Sequence, residues 1–139
     1  DAYNRKARKY VEGFLRSEMG QRVSAAGKNG KAYCELPFSR LLKIEKAFPD
    51  IFKSSKTDLS KLPKIFLQGI IDLLFEENGQ LILLDYKTDR NINGAEALAR
   101  YHRQLELYIE AVEELTGRKI GEAYLFLLDR GESIRFSAQ

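Results

Sequence analysis

Three features of the sequence predict an α/β fold, a mixed central sheet flanked by helices. Asn78-Gly79 sits between two apolar runs, the strongest short-range signal for a β-hairpin. A long amphipathic stretch from about residue 95 follows it, and a second apolar pair turns around Asp129-Arg130-Gly131. Helix, strand, hairpin, helix, hairpin is an order that layers helices on a mixed sheet.

Residues 3–19 read as a helix whose stripe is Tyr10, Phe14 and Leu15 with Val11 beside it. Gly20 weakens it, and Gly27 with Gly30 ends the region after a short continuation through Val23 and Ala26. Residues 31–38 alternate: Ala32, Cys34, Leu36 and Phe38 face one way, Tyr33, Glu35 and Pro37 the other. That is a strand, near an edge because Pro37 lacks an amide donor. From Ser39 to Pro63, Pro49 and the Ser54-Ser55 pair break any pattern, and a surface loop or short helical piece is expected. Residues 65–75 and 80–86 are apolar on both faces, as central strands covered by helices would be. A loop at 88–94, a helix at about 95–116 stopped by Gly117, and strands at 120–128 and 132–137 complete the order.

The 139 residues, 44% hydrophobic and 31% charged, are read as one domain, 1–139. That is too apolar for disorder, and no stretch approaches the ~18 apolar residues of a membrane span. No secretory leader pattern opens the sequence. A single cysteine, Cys34, excludes an intramolecular disulfide and a cysteine-built metal site; among apolar neighbours it reads as a small buried hydrophobe. The net charge of +3 is too mild to announce nucleic-acid binding. Arg5, Lys6, Arg8 and Lys9, and a second set of Lys43, Lys46, Lys53, Lys56, Lys61 and Lys64, fit either a phosphate-contacting surface or a solvated face. The chain opens on Asp1, as a processed protein or a piece of a longer one would.

A two-residue turn at Asn78-Gly79 pairs Glu77 with Gln80, and the same register sets Asp72 directly across from Asp85. Lys87 shares that face, two residues beyond Asp85. The rest of the face, Ile70, Leu74, Leu81 and Leu83, is aliphatic. Opposed carboxylates in such a place repel, or are forced to take up a proton. A divalent cation such as Mg²⁺, held by Asp72, Asp85 and the Tyr86 carbonyl, removes the conflict, and Lys87 beside it would orient a water or neutralise charge on a phosphoryl oxygen. The competing account is a structural cluster: Lys87 paired with Asp85, and Asp72 capped by backbone amides.

Other residues are open to two readings. Gln68 holds a water or phosphate oxygen, or is an ordinary strand-mouth amide; Gly69 lets backbone or substrate approach. Glu35 is a third metal carboxylate or a solvated edge residue. On the 95–116 helix the stripe is Leu98, Tyr101, Leu105, Tyr108, Val112 and Leu115. Gln104 lies at its margin and can turn toward the carboxylates; Tyr101 and Tyr108 brace the site or fill the core. His102, the only histidine, aligns with Glu106, Ile109 and Glu113 and reads as a surface residue. No phosphate-binding glycine loop is present, so ATP binding is not expected.

Gln68-Gly69-Ile70-Ile71-Asp72, then Leu83-Leu84-Asp85-Tyr86-Lys87-Thr88-Asp89, then Tyr101 with Gln104-Leu105 and Tyr108, resemble the RecB-like branch of the PD-(D/E)xK nucleases. The likeness is greatest to AddA-type nuclease domains of bacterial helicase–nucleases, and it extends to Cys34-Glu35-Leu36-Pro37-Phe38 and Glu122–Asp129. The resemblance implies a restriction-endonuclease-like core and Mg²⁺-dependent hydrolysis of DNA, with Mn²⁺ as substitute. It implies Asp72, Asp85 and the Tyr86 carbonyl as metal ligands, Lys87 as catalytic lysine, and Gln104 and Tyr108 in the motif of the following helix. It further implies a C-terminal piece of a helicase chain that works with an AddB-like subunit in double-strand break repair and recombination. The DNA would be single strands emerging from the helicase, in the bacterial cytoplasm at the nucleoid. The upstream helix of this branch usually carries an active-site histidine; here it has Tyr3, Arg5 and Tyr10, which suits a chain that begins downstream of it. The cysteines of iron–sulfur-binding relatives are absent. The alternatives are a docking or DNA-binding module whose catalysis has lapsed, and a stand-alone endonuclease of the same fold.

Overall fold

The computed structural model describes residues 1–54 and 56–137; Ser55, half of the predicted Ser-Ser break, lies outside the described residues. The elements run α1 (Ala2–Arg16), α2 (Glu18–Lys28), β1 (Ala32–Lys43), α3 (Ile44–Ala47), α4 (Pro49–Phe52), a 3₁₀ turn (Leu59–Lys61), β2 (Lys64–Glu77), β3 (Gln80–Lys87), α5 (Gly94–Thr116), β4 (Ile120–Leu127) and β5 (Glu132–Phe136). The five strands form one mixed sheet in the order β1-β2-β3-β4-β5. The β2–β3 and β4–β5 pairs are antiparallel and β3–β4 is parallel, which confirms the predicted α/β class.

The chain divides into two compact units. The larger, Asp1–Leu36 with Ile71–Gln139, holds α1, α2, α5, β3, β4 and β5 with the start of β1 and the end of β2. The smaller, Pro37–Ile70, holds the second half of β1, the short helices, the 3₁₀ turn and the first half of β2. The poorly patterned stretch belongs to it, and its first five residues extend β1 rather than starting a loop.

Within the larger unit, strand alternation divides the apolar residues between two faces. Leu73, Phe75, Ile82, Leu84 and Phe126 cluster with Met19 and Ala26 of α2, and Phe14 of α1 packs on them. Phe14 meets the rings of Tyr86 and Phe126 edge to face at 5.1 and 4.9 Å. The residues between them, Leu74, Leu81, Leu83, Leu125 and Leu127, are buried on the other face, to which α5 brings Ala97, Leu105, Ala111 and Val112.

The expected first helix is two helices. Ser17 takes extended backbone and its hydroxyl accepts the Gly20 amide, capping α2. Gly20 is required here by a close approach: a Cβ would stand 1.9 Å from the Phe14 carbonyl oxygen. Of the expected stripe, Phe14 is covered while Val11 and Leu15 stay exposed. Cys34 is exposed, against expectation. Glu35 beside it has φ 53°, so β1 kinks and the simple alternation of 31–38 fails.

The hairpin turn follows the sequence closely. Asn78 and Gly79 both have positive φ, 51° and 77°, as a two-residue turn matched to strand twist requires. Glu77 pairs with Gln80, and the register continues to Leu73 opposite Leu84. On α5, Asn93 and Glu96 form a reciprocal capping box, and Gly117 ends the helix at φ 66°. Leu115, assigned to the apolar stripe, is 64% exposed, because the packed face of α5 ends at Val112.

Candidate active site

Asp72 lies one step beyond the last paired residues of the hairpin, where side chains take over from the backbone ladder. Its Oδ2 accepts the amide of Tyr86 at 2.9 Å. Asp85 is 3% exposed, the one polar or charged residue among the buried ones described. The Lys87 ammonium stands 2.7 Å from Asp85 Oδ2. This short ion pair with one ammonium is the contact that offsets the burial of the Asp85 carboxylate. The Asp85 carboxyl is raised to about 6: burial lifts it most, Lys87 holds it down in part, and the charge and contact of Asp72 push it up. The offset is therefore incomplete.

The lysine is held from three sides. Besides Asp85, it donates to Gln104 Oε1 at 2.7 Å and lies 4.0 Å from the centre of the Tyr101 ring. Gln104 in turn donates through Nε2 to the Tyr108 hydroxyl at 3.2 Å, which fixes its amide orientation. Burial raises the Tyr108 hydroxyl pKa, and the charges of Asp85 and Asp72 add to it. The Tyr101 hydroxyl reaches both oxygens of Asp89, at 2.9 and 2.8 Å, and Arg100 donates to the same carboxylate at 2.7 Å. The Tyr86 side chain leaves by the opposite face into the Phe14 cluster, so only its backbone belongs to the site. Its hydroxyl pKa is raised, chiefly by burial.

Asp72, Asp85, Lys87, Tyr101, Gln104 and Tyr108 are thus brought together as the spacing implied. Glu35 is not: it is exposed, and no group of three or more Asp, Glu, His or Cys arranged for a metal occurs among the described residues. Gln68 lies in the Pro37–Ile70 unit with an exposed side chain. His102 packs at a tilt against Phe136, ring centres 5.0 Å apart, and contacts Glu106 at 3.1 Å rather than the lysine network. The residue that sequence reasoning passed over is Asp89. It stands in the quoted motif, but its work, holding Tyr101 over Lys87, depends on where α5 docks.

Two carboxylates on one face fit a divalent cation that keeps part of its water shell, because Mg²⁺ is commonly held by one or two carboxylates plus substrate oxygens. The buried Asp85 carboxylate, disfavoured by burial and by the charge of Asp72, is the feature a cation would satisfy.

A profile of the PD-(D/E)XK nuclease superfamily matches residues 2–138, and the chain belongs to that superfamily. Its role is of the nuclease type. More particularly, it is similar to AddA, the A-type component of the ATP-dependent helicase/nuclease, from several bacteria. That of Alkaliphilus oremlandii (strain OhILAs) is 40% identical over 129 residues, covering 91% of this chain and 10% of that protein. That of Alkaliphilus metalliredigens (strain QYMF) is 37% identical over 127 residues, 90% of this chain and 10% of the relative. That of Clostridium botulinum (strain Loch Maree / Type A3) is 39% identical over 114 residues, 82% and 8% respectively. The chain therefore spans about a tenth of the length of these relatives.

Proposed function

We propose that this chain hydrolyses DNA phosphodiester bonds with the help of a divalent cation, Mg²⁺ or Mn²⁺, bound at Asp72 and Asp85. One observation carries the reading: a buried carboxylate, Asp85, lies against a second carboxylate, Asp72, that opposes its ionisation, with one ammonium, Lys87, beside it. Asp72, Asp85 and the Tyr86 carbonyl would hold the ion, which when bound acidifies a water and draws charge from the scissile phosphate.

The remaining steps belong to side chains of this chain. Lys87, 14% exposed at its side chain, is buried enough to keep its geometry and open enough to meet a phosphate oxygen or the attacking water. Gln104 fixes the direction of that ammonium, and Tyr108 fixes Gln104. Tyr101 covers Lys87 with its ring, and Asp89 takes up the Tyr101 hydroxyl. These groups are positioned before substrate arrives, so less reorganisation is needed during cleavage.

The similarity to the AddA helicase/nuclease proteins supports a wider reading: a nuclease portion of a larger bacterial helicase–nuclease, acting with a second, AddB-like chain on strands that the helicase releases, in cytoplasmic break repair and recombination. A module without catalysis is favoured only by the two contacts that need no ion, Lys87 with Asp85 and the Tyr86 amide on Asp72.

Calorimetric titration of the chain with Mn²⁺ and Mg²⁺ tests the site. Asp85→Ala is expected to bind at least tenfold more weakly. Equal binding by both proteins would remove the metal site, and metal-dependent cleavage of single- or double-stranded DNA separates an enzyme from a docking module.

A further inference from the structure

A concave groove of about 600 Å³ lies on the larger unit, away from the carboxylates, and its walls are basic. Lys6, Lys9 and Arg16 of α1 line it together with Arg90 from the loop after β3 and Arg130 from the β4–β5 turn. Resting on the nuclease reading above, we propose that this groove binds the phosphate backbone of a single DNA strand that passes on to Lys87.

Most of the groove's positive charge is available. Lys9, Arg16 and Arg90 form no ion pair among the described residues. Lys6 lies over the Tyr10 ring at 5.3 Å, and Arg130 reaches Glu132 at 2.9 Å. The two acidic residues of the wall are partly occupied. Glu12 pairs with Arg8 at 2.7 Å and feels Arg16 only through space; Asp129 accepts the Tyr10 hydroxyl at 3.2 Å. Cations from three separate segments around one concavity, with Lys9, Arg16 and Arg90 exposed and outside any ion pair among the described residues, are what a phosphate chain would neutralise. A groove, rather than a flat basic face, suits one strand, since single-strand sites combine a positive channel with aromatic side chains.

Gly13 is a second, independent observation. It lies within α1, where glycine weakens a helix, and it lines the groove. No packing demands it, for a Cβ there would meet nothing within 4 Å. The missing side chain leaves the floor of the groove open to a close-lying ligand.

Continuity with the candidate active site comes through the backbone. Leu128, which lines the groove, donates its amide to the Lys87 carbonyl at 2.9 Å. Arg90 follows Lys87 by three residues, beside Asp89, which holds Tyr101. The groove therefore adjoins the end of β3 that carries the lysine, and a strand held in it would round that end to meet Lys87 on the α5 face.

The test is fluorescence anisotropy with labelled oligo(dT) of about 20 nucleotides, in EDTA so that nothing is cleaved, at about 50 and about 200 mM NaCl. The triple variant Lys9→Gln/Arg16→Gln/Arg90→Gln is expected to bind at least tenfold more weakly, with the log–log salt slope reduced by about two. Gly13→Glu, made separately, should lose binding comparably, while Lys28→Gln on α2 stays within twofold. Wild-type affinity in the triple variant, equal loss in Lys28→Gln, or no binding by the unaltered chain overturns the groove; equal affinity for a duplex of the same length overturns its single-strand character. The metal reading is judged on different variants and a different readout: Asp85→Ala should keep oligo(dT) affinity while losing metal, so either idea can fail alone.

Discussion

Lys87 donates to Gln104 Oε1 at 2.7 Å, joining the end of β3 to the third turn of α5. The bond sets the ammonium in one place, and Tyr108 behind Gln104 holds the amide from turning. Removing it should therefore loosen catalysis and leave metal binding alone. Gln104→Leu is expected to slow single-turnover cleavage by roughly 10–100-fold, the usual scale for a partner that orients a working group. Calorimetric Mn²⁺ affinity should stay within about threefold. An equal loss in both would mean that Gln104 acts on the carboxylates directly.

Tyr101 offers a separation of ring from hydroxyl. Its hydroxyl is taken up by Asp89, and its ring faces Lys87. Tyr101→Phe retains the ring and should cleave within about threefold of the unaltered chain, whereas Tyr101→Leu should lose tenfold or more as the cation–π contact goes. A large loss in Tyr101→Phe would instead give the hydroxyl a role on the substrate.

Arg22 is the main tie between α2 and the sheet on the face opposite the site. It forks onto Glu77 and reaches Glu122 at 2.9 Å, with the rings of Phe75 and Tyr124 beside it. Arg22→Met keeps much of the packing and leaves two partly buried carboxylates short of a partner. A loss of about 1–3 kcal/mol in urea unfolding is expected.

The same cluster sets a pH dependence. The Tyr124 hydroxyl first, and then Arg22, hold the Glu122 carboxyl below its ordinary value of 4.5. A carboxyl depressed in the folded state contributes stability that is complete above the ordinary value and lost as pH falls through the folded value. The urea midpoint should therefore drop between about pH 5 and pH 3, and drop less in Arg22→Met, since one of the groups that lower Glu122 is gone. A steeper drop in the variant would contradict this assignment.

Two glycines in the α1–α2 region should respond oppositely to alanine. At Gly20 the new Cβ would collide with the Phe14 carbonyl, and a cost of about 2–3 kcal/mol is expected. At Gly13 the Cβ meets nothing, so Gly13→Ala should stabilise the chain by roughly 0.5–1 kcal/mol. Thermal melts of both variants would check the pair.

What the sequence determined by itself was the part governed by local rules. Asn78-Gly79 fixed a turn, the turn fixed the register, and the register with strand alternation put Asp72, Asp85 and Lys87 on one face before any fold was known. Helical spacing likewise grouped Tyr101, Gln104 and Tyr108. Tertiary structure decided what each group touches. That Asp89 restrains Tyr101, that Gln104 rather than a water meets Lys87, and that Arg90 and Arg130 join α1 around one groove all depend on how elements distant in sequence dock. The division of the first helix at Ser17 and the kink at Glu35 that exposes Cys34 belong to the same class. Periodicity reports which face of an element is apolar; it does not report which neighbour will cover that face, or how closely two backbones will approach.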